Sequence, residues 1–195
     1  HIHGILVQLP LPAHIDSKHI LSIIHPTKDV DGFLPENLGL LAQKSNKGFM
    51  ACTPFGIMTL LAAYKIPVAG KQCVVIGRSG IVGKPMGLLL LNEDATVTFT
   101  HSKTKDLHAL SKNADIIVAA AGKKHLLDKS MIKEGVVVID VGIHKNDDGS
   151  LSGDVNPNVK EIAGALSPVP GGVGPMTIAM LVLNTALAAW NRENQ

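Results

Sequence analysis

The sequence predicts an α/β fold built on an open parallel sheet with helices on both faces. Three observations carry that prediction. From Lys71 onward, short β-branched runs alternate with helical segments, the pattern of repeated strand–helix–strand units. Hydrophobic residues make up 46% and charged residues 17%, an apolar excess that suits strands buried on both faces. A glycine-rich turn, Gly77-Arg78-Ser79-Gly80, joins the first of those strands to a helix.

The elements follow in order. The chain divides near residue 55, and its first zone is Pro-rich and irregular. Ile2 to Pro10 reads as a buried strand, and Ser17 to Ile24 as the one helix of this zone. Lys44 to Gly48 is a polar loop. Cys52-Thr53-Pro54 opens a helix, with Thr53 as cap and Pro54 at the first helical position. Cys73 to Ile76 is a strand, Val82 to Leu91 a helix, Ala95 to Thr100 a strand and Leu107 to Lys112 a helix. Asp115 to Ala121 is a third strand, Ser130 to Lys133 a short helix, and Val136 to Val141 a fourth strand. Asp147-Asp148-Gly149 is a turn, Asn156 caps a further helix, and Ala165 to Ser167 is a last short strand. Gly174-Pro175 opens the final long helix.

At 195 residues the chain holds one domain, or one plus part of another, with enough length to bury a core without disulfides. A formal charge of +2 and 3% aromatics provide neither a basic stripe nor a stacking platform for nucleic acid. Cys52 and Cys73 fit no disulfide framework and no zinc spacing, and read as buried thiols in a reducing compartment. The apolar stretch Ile178 to Trp190 is shorter than a membrane span and contains Asn184 and Thr185. The expectation is therefore no nucleic-acid partner and no membrane partner. Because the chain opens at His1 inside an apolar strand, a longer native N-terminus is expected.

The turn at Gly77 lies where a dinucleotide fold places its phosphate loop. Glycines let backbone approach a pyrophosphate, and the following helix offers free N–H groups. The spacing is not GxGxxG, so an ordinary strand–helix turn remains the plain alternative. The next strand ends Thr100-His101-Ser102-Lys103-Thr104, with no acidic residue to hold ribose hydroxyls or repel a 2′-phosphate. With Arg78 nearby, that chemistry suits NADP over NAD. Small residues at Ala120-Ala121-Gly122 and Gly142 leave room at two more strand ends.

Three segments stand outside this pattern. Gln8 puts an amide beside the rigid turn Leu9 to Pro12. Asp29 and Asp31 flank Val30 and would point the same way in an extended segment. Without a His or third carboxylate, they suit an amino-heterocycle better than a metal, and a solvated turn is the plain alternative. Pro168 to Thr177 is the densest Gly/Pro segment, a shaped backbone wall for a planar ligand or a plain linker.

Taken together and in order along the whole chain, Gly4–Pro12, Lys28–Gly32, Thr53-Pro54, Gly77–Ser79 with Val82–Pro85, His101–Thr104 and Pro168–Thr177 resemble the bifunctional methylenetetrahydrofolate dehydrogenase/methenyltetrahydrofolate cyclohydrolase family. The resemblance implies an α/β protein with a Rossmann-like parallel-sheet NADP-binding domain plus a truncated remnant of an N-terminal α/β catalytic domain. Residues 1–55 would be the remnant and 56–175 the NADP-binding domain. Residues 176–195 would form a helix returning to the catalytic domain. It implies oxidation of 5,10-methylenetetrahydrofolate with NADP and hydrolysis of the methenyl product to 10-formyltetrahydrofolate. It further implies a homodimer and a cytoplasmic location, with an organellar targeting segment left open.

Carried over by motif, Gly77, Arg78 and Ser79 would bind cofactor phosphates and ribose. Ser102 and Ile143 would hold the adenosine and nicotinamide sides. Asp31 would hydrogen-bond the pterin, Gln8 would orient a catalytic lysine, and Pro170, Gly171 and Gly172 would line the folate pocket. The family's catalytic tyrosine and lysine precede the Gly4–Pro10 segment. Neither role passes to Tyr64, so this chain by itself is expected to bind NADP and catalyse weakly. Two other readings stay open: a non-catalytic NADP-binding fragment, and another NADP-dependent dehydrogenase such as a shikimate-type enzyme. The latter needs a lysine–aspartate pair that Asp31 alone does not supply.

Overall fold

The computed structural model describes residues 2–194. Its strands are β1 (Gln72–Ile76), β2 (Thr96–Thr100), β3 (Ile116–Ala119), β4 (Val137–Asp140), β5 (His144–Lys145), β6 (Leu151–Ser152) and β7 (Ala165–Leu166). Five of them form one parallel sheet in the order β2-β1-β3-β4-β7, and β5 and β6 pair as a small antiparallel hairpin. The helices are α1 (Ser17–Ser22), α2 (Pro35–Ala42), α3 (Cys52–Ala63), α4 (Gly83–Asn92), α5 (Leu107–Lys112) and α6 (Val173–Glu193).

Strand periodicity divides the apolar residues between the two faces of the sheet. Cys73, Val75, Ile116 and Val118 join Ile57, Leu61, Met86 and Leu90 from α3 and α4 in one core. Val74, Ile76, Ile117 and Val138 point the other way and pack with Leu127, Ile132 and Val159. Burial on both faces explains the near-continuous apolar strands.

Several expected elements differ. Residues 2–10 form no strand, and Ile2, Ile5 and Leu6 are exposed. The Ile5 N–H donates to the Lys28 carbonyl at 2.9 Å, and the Ile2 carbonyl accepts from Arg192 Nη1 at 3.4 Å. A strand needs a neighbour for its ladder, and the described residues supply none here. Helix α2 lies where the sequence predicts no helix; Pro35 starts it. Thr53 does not cap α3. The helix begins at Cys52 behind Ala51, and Thr53 Oγ1 instead meets Thr177 Oγ1 of α6 at 2.9 Å. The helix expected at Ser130 is one 3-10 turn over Lys129–Met131, capped by Asp128. The one after Asn156 is likewise a 3-10 segment, Pro157–Glu161.

The last helix, α6, runs 21 residues and is long and apolar enough to cross a membrane by length and composition, further than Ile178 to Trp190 suggests. Here it packs along α3. Gly56 lets it approach, since a Cβ there would lie 2.9 Å from Met176 Cβ. Ile178, Val182 and Trp190 remain exposed on its outer side.

Candidate cofactor and substrate site

The first half of the site lies at the carboxyl ends of the strands. In an open parallel sheet, ligands bind where the strand order reverses. That point falls between β1 and β3, because β2 lies on one side of β1 and β3 on the other. Gly77 leaves β1 there at φ +129°. Its N–H donates to the Thr100 carbonyl at 2.9 Å, tying the exits of β1 and β2 together. Arg78 follows and is exposed.

Ser79 has a local role that the sequence does not reveal. Its Oγ accepts from the N–H groups of Val82 and Gly83, each at 3.2 Å. These amides at the head of α4 are thus capped from within, whereas the sequence predicts that they stand free for phosphate. A serine hydroxyl three or four residues ahead reaches them as in an N-cap.

At the exit of β2, the His101 N–H donates to Thr104 Oγ1, and the Lys103 N–H donates to His101 Nδ1. This turn leaves Ser102 and Lys103 exposed beside the sheet end. The first acidic residue beyond it, Asp106, is engaged in capping α5 through the Ala109 N–H. At the exit of β4, Ile143 presents a large apolar side chain that is 64% exposed.

The second half gathers at the heads of α3 and α6. Asp29 and Asp31 do not lie side by side in an extended segment, because a 3-10 turn at Pro26–Lys28 and positive φ at Gly32 curl the chain. The Asp29 carboxylate faces inward and accepts from the N–H groups of Phe33 and Leu34 and from Asn37 Nδ2, the last at 2.7 Å. Asp31 has no such partners among the described residues. Burial, and next the charge of Asp29, push its carboxyl up to about 6.

The Asp31 carbonyl accepts from the Cys52 N–H at the start of α3, at 3.3 Å. The Thr53–Thr177 bond then links that helix to α6, whose head follows Pro170, Gly171 and Gly172. Gly171 has φ +96°, and a Cβ on Gly172 would overlap the Pro168 carbonyl, so the loop depends on both glycines. Gln8 stands apart: it is exposed, and its Nε2 donates only to the adjacent Leu9 carbonyl, at 3.1 Å.

Both cysteines are free and buried, as expected. Burial is the main cause that pushes the Cys52 thiol up to about 12 and the Cys73 thiol up to about 11. Neither is a nucleophile near neutrality. Two grooves of about 600 and 1040 Å³ flank α6, lined in part by His3, Leu181 and Thr185 and by Lys28, Asn37 and Asn191. Neither contains Arg78 or Asp31.

Sequence reasoning missed Asn184. It is 2% exposed on α6, and its Nδ2 donates to the carbonyls of Val30 and Met50 at 2.8 and 3.0 Å. The signal was the one amide inside the apolar run Ile178 to Trp190. It also missed a group of polar residues behind the strand exits: Asp140, His144, Asp154 and Ser167.

Comparison with known proteins bears on the fold and the family. Residues 51–193 match the family model of the tetrahydrofolate dehydrogenase/cyclohydrolase NAD(P)-binding domain, and residues 1–31 match that of its catalytic domain. A protein of Burkholderia thailandensis named bifunctional protein FolD is 58% identical over 189 residues, 96% of this chain and 66% of that protein. One from Lysinibacillus sphaericus is 56% identical over 98% of this chain and 67% of its own length. The crystal structure of the Campylobacter jejuni bifunctional FolD matches with a TM-score of 0.95 and 53% identity, over 97% of this chain and 68% of that one. A Trypanosoma brucei FolD complexed with NADP cofactor and inhibitor matches with a TM-score of 0.91 and 43% identity, over 99% and 68%. The chain thus spans about two thirds of the length of these relatives. On this evidence the chain belongs to the tetrahydrofolate dehydrogenase/cyclohydrolase family, with the NAD(P)-binding domain over residues 51–193.

Proposed function

We propose that the protein to which this chain belongs oxidises 5,10-methylenetetrahydrofolate with NADP and hydrolyses the methenyl product to 10-formyltetrahydrofolate. The observation that carries this reading is the joining of the Asp31 segment to the Pro168–Gly172 loop through the heads of α3 and α6. Those joined residues would take the pterin, with the dinucleotide at the carboxyl edge of the sheet.

The residues at that edge fit NADP. Gly77 and Gly122 keep side chains off the strand exits, and no carboxylate stands at the end of β2 to repel a 2′-phosphate. Arg78, Ser102 and Lys103 would hold that phosphate and ribose. Ile143 would pack against the nicotinamide side. When bound, NADP supplies the acceptor for a hydride from the methylene carbon.

On the folate side, Asp31 would pair with the amino-heterocycle. Its raised pKa keeps a share of the carboxyl protonated below about pH 6, when it can donate as well as accept. Pro170, Gly171 and Gly172 would form the wall against the ring, and Gln8 would orient a lysine outside this chain. In the second step, water adds to the cationic methenyl carbon, the bond from that carbon to N5 breaks as N5 takes a proton, and one net proton is released. That lysine would assist the proton transfer, a contribution of ~10²–10⁴ in rate. Two buried thiols fit a reducing, cytoplasmic setting, and the exposed Phe99 on edge strand β2 suits a homodimer through the cofactor domain.

The test is a spectrophotometric assay of the complete gene product with 5,10-methylenetetrahydrofolate and either NADP or NAD, with this chain in parallel. The expected result is turnover that prefers NADP, and weak turnover by this chain alone. Arg78→Ala should weaken NADP binding about 10- to 100-fold, the value of a charge-assisted hydrogen bond, and leave NAD binding nearly unaffected. No turnover by the complete protein with either cofactor would overturn the reading.

A further inference from the structure

We infer that Asp154 is a positioning residue for the cofactor, its carboxylate fixing the two backbone segments that leave β3 and β4 beside the nicotinamide half. The inference rests on the NADP reading above.

Asp154 follows β6 and is fully buried. Its Oδ2 accepts from the N–H groups of Ala121 and Gly122, at 2.6 and 2.8 Å, where the chain leaves β3. Its Oδ1 meets His144 Nε2 at 2.8 Å, directly after Ile143. One side chain therefore holds both strand exits on the β3 and β4 side of the point where the strand order reverses.

A second buried carboxylate locks the first in place. Asp140 Oδ1 accepts from the N–H groups of Gly142 and Asp154, at 3.0 and 2.9 Å, and Oδ2 accepts from the Val155 N–H at 3.1 Å. Gly153 must be glycine, since a Cβ there would overlap the Asp140 carboxylate. The Asp140 N–H in turn donates to Ser167 Oγ at 2.8 Å, immediately before the Pro168–Gly172 loop. The network thus runs from the cofactor wall to the folate wall.

Burying two acids is unfavourable unless each is fully hydrogen-bonded. Here five backbone N–H groups and one imidazole satisfy them. Those N–H groups are spent inside the protein and cannot contact a ligand. The role of the carboxylates is to set where the exit backbone lies, and displacements of about 1 Å at a hydride-transfer site are costly in rate.

The test uses the complete gene product with Asp154→Asn and His144→Ala. Asparagine keeps the shape but cannot accept from both exits with the same strength. Alanine at 144 frees the Ile143 segment while leaving the Ala121 and Gly122 bonds intact. NADP binding is read by calorimetry, and exchange of the Ala121, Gly122 and Ile143 amides by NMR with and without NADP. The two catalytic steps are assayed separately. Each folded variant should bind NADP at least tenfold more weakly, exchange the amides of the exit it frees faster than the parent (Ala121 and Gly122 in Asp154→Asn, Ile143 in His144→Ala), and show a dehydrogenase-to-cyclohydrolase ratio at least tenfold lower.

Folded variants with NADP affinity within twofold of the parent overturn the inference, as does a parallel fall in both activities. If Asp154→Asn does not fold, His144→Ala decides alone. A parent protein that binds no NADP defeats the proposed cofactor and this inference together. A parent that binds NADP and is matched by its variants defeats only this inference.

Discussion

Gly77 and Ala120 leave adjacent parallel strands so closely that no side chain fits between them. A Cβ on Gly77 would overlap the Ala120 carbonyl oxygen and lie 2.8 Å from its carbon. The obstacle is backbone on a central strand, so it cannot swing aside.

Gly77→Ala should therefore destabilise the protein by about 2–4 kcal/mol, combining overlap with strain at φ +129°. Gly80→Ala is the control, because a Cβ there meets nothing within 4 Å. Urea unfolding of the two variants should separate them clearly. Equal midpoints would contradict the close approach.

The Asp31 carboxyl is held at about 6, above its ordinary 3.8. The folded state then binds the proton more tightly than the unfolded chain. Stability from this group is fully present below about pH 4 and is lost as the pH rises through about 6. A shift of that size corresponds to ~2–3 kcal/mol. Unfolding midpoints for Asp31→Asn and its parent at half-unit steps from pH 4 to 7 test this. The parent curve should fall relative to the variant across that window, and parallel curves would remove the raised pKa.

Asn184 joins α6 to the segments of Val30 and Met50 with two buried hydrogen bonds. Asn184→Leu leaves both carbonyls without this donor, so a loss of about 2–3 kcal/mol is expected. Because Val30 precedes Asp31, proteolysis near residue 31 should also quicken. A stability within 0.5 kcal/mol of the parent would show that the bridge carries little.

Trp190 is the single tryptophan and is 66% exposed, on the same helix as the exposed Ile178 and Val182. For this chain alone, its emission should be water-like and readily quenched by acrylamide. The exposed apolar side of α6 should also bind anilinonaphthalene sulfonate. Covering this side of α6 with another protein segment should lower both signals. Unchanged quenching would place that segment elsewhere.

The cofactor half of the site was legible because its signals are local. A strand, a glycine turn and a helix occupy one short stretch around Gly77, and strand periodicity exposes β1 to β4. Helix α5 was expected over the residues it occupies, Leu107–Lys112. What escaped the sequence is set by tertiary partners. The opening segment has strand composition but no ladder neighbour among the described residues. Thr53 has the chemistry of a cap, yet its hydroxyl is taken by Thr177, 124 positions away. Asp154 sits in Ser152-Gly153-Asp154, which looks like a solvated turn until folding places Asp140 and His144 against it. Asp29 and Asp31, read as a pair, separate into one acid that organises α2 and one buried without a side-chain hydrogen-bond partner among the described residues.

Asn184 has a further consequence for the order in which the protein is made. The segment carrying Asp31 leaves the ribosome early, but the amide that secures it lies some 150 residues downstream. All five strands of the parallel sheet are synthesised in between. The parallel sheet can pair as soon as β7 appears, while the Asp31 segment waits for the last helix. A nascent chain halted before α6 would already be able to pair its five strands and would not yet hold the Asp31 segment in place.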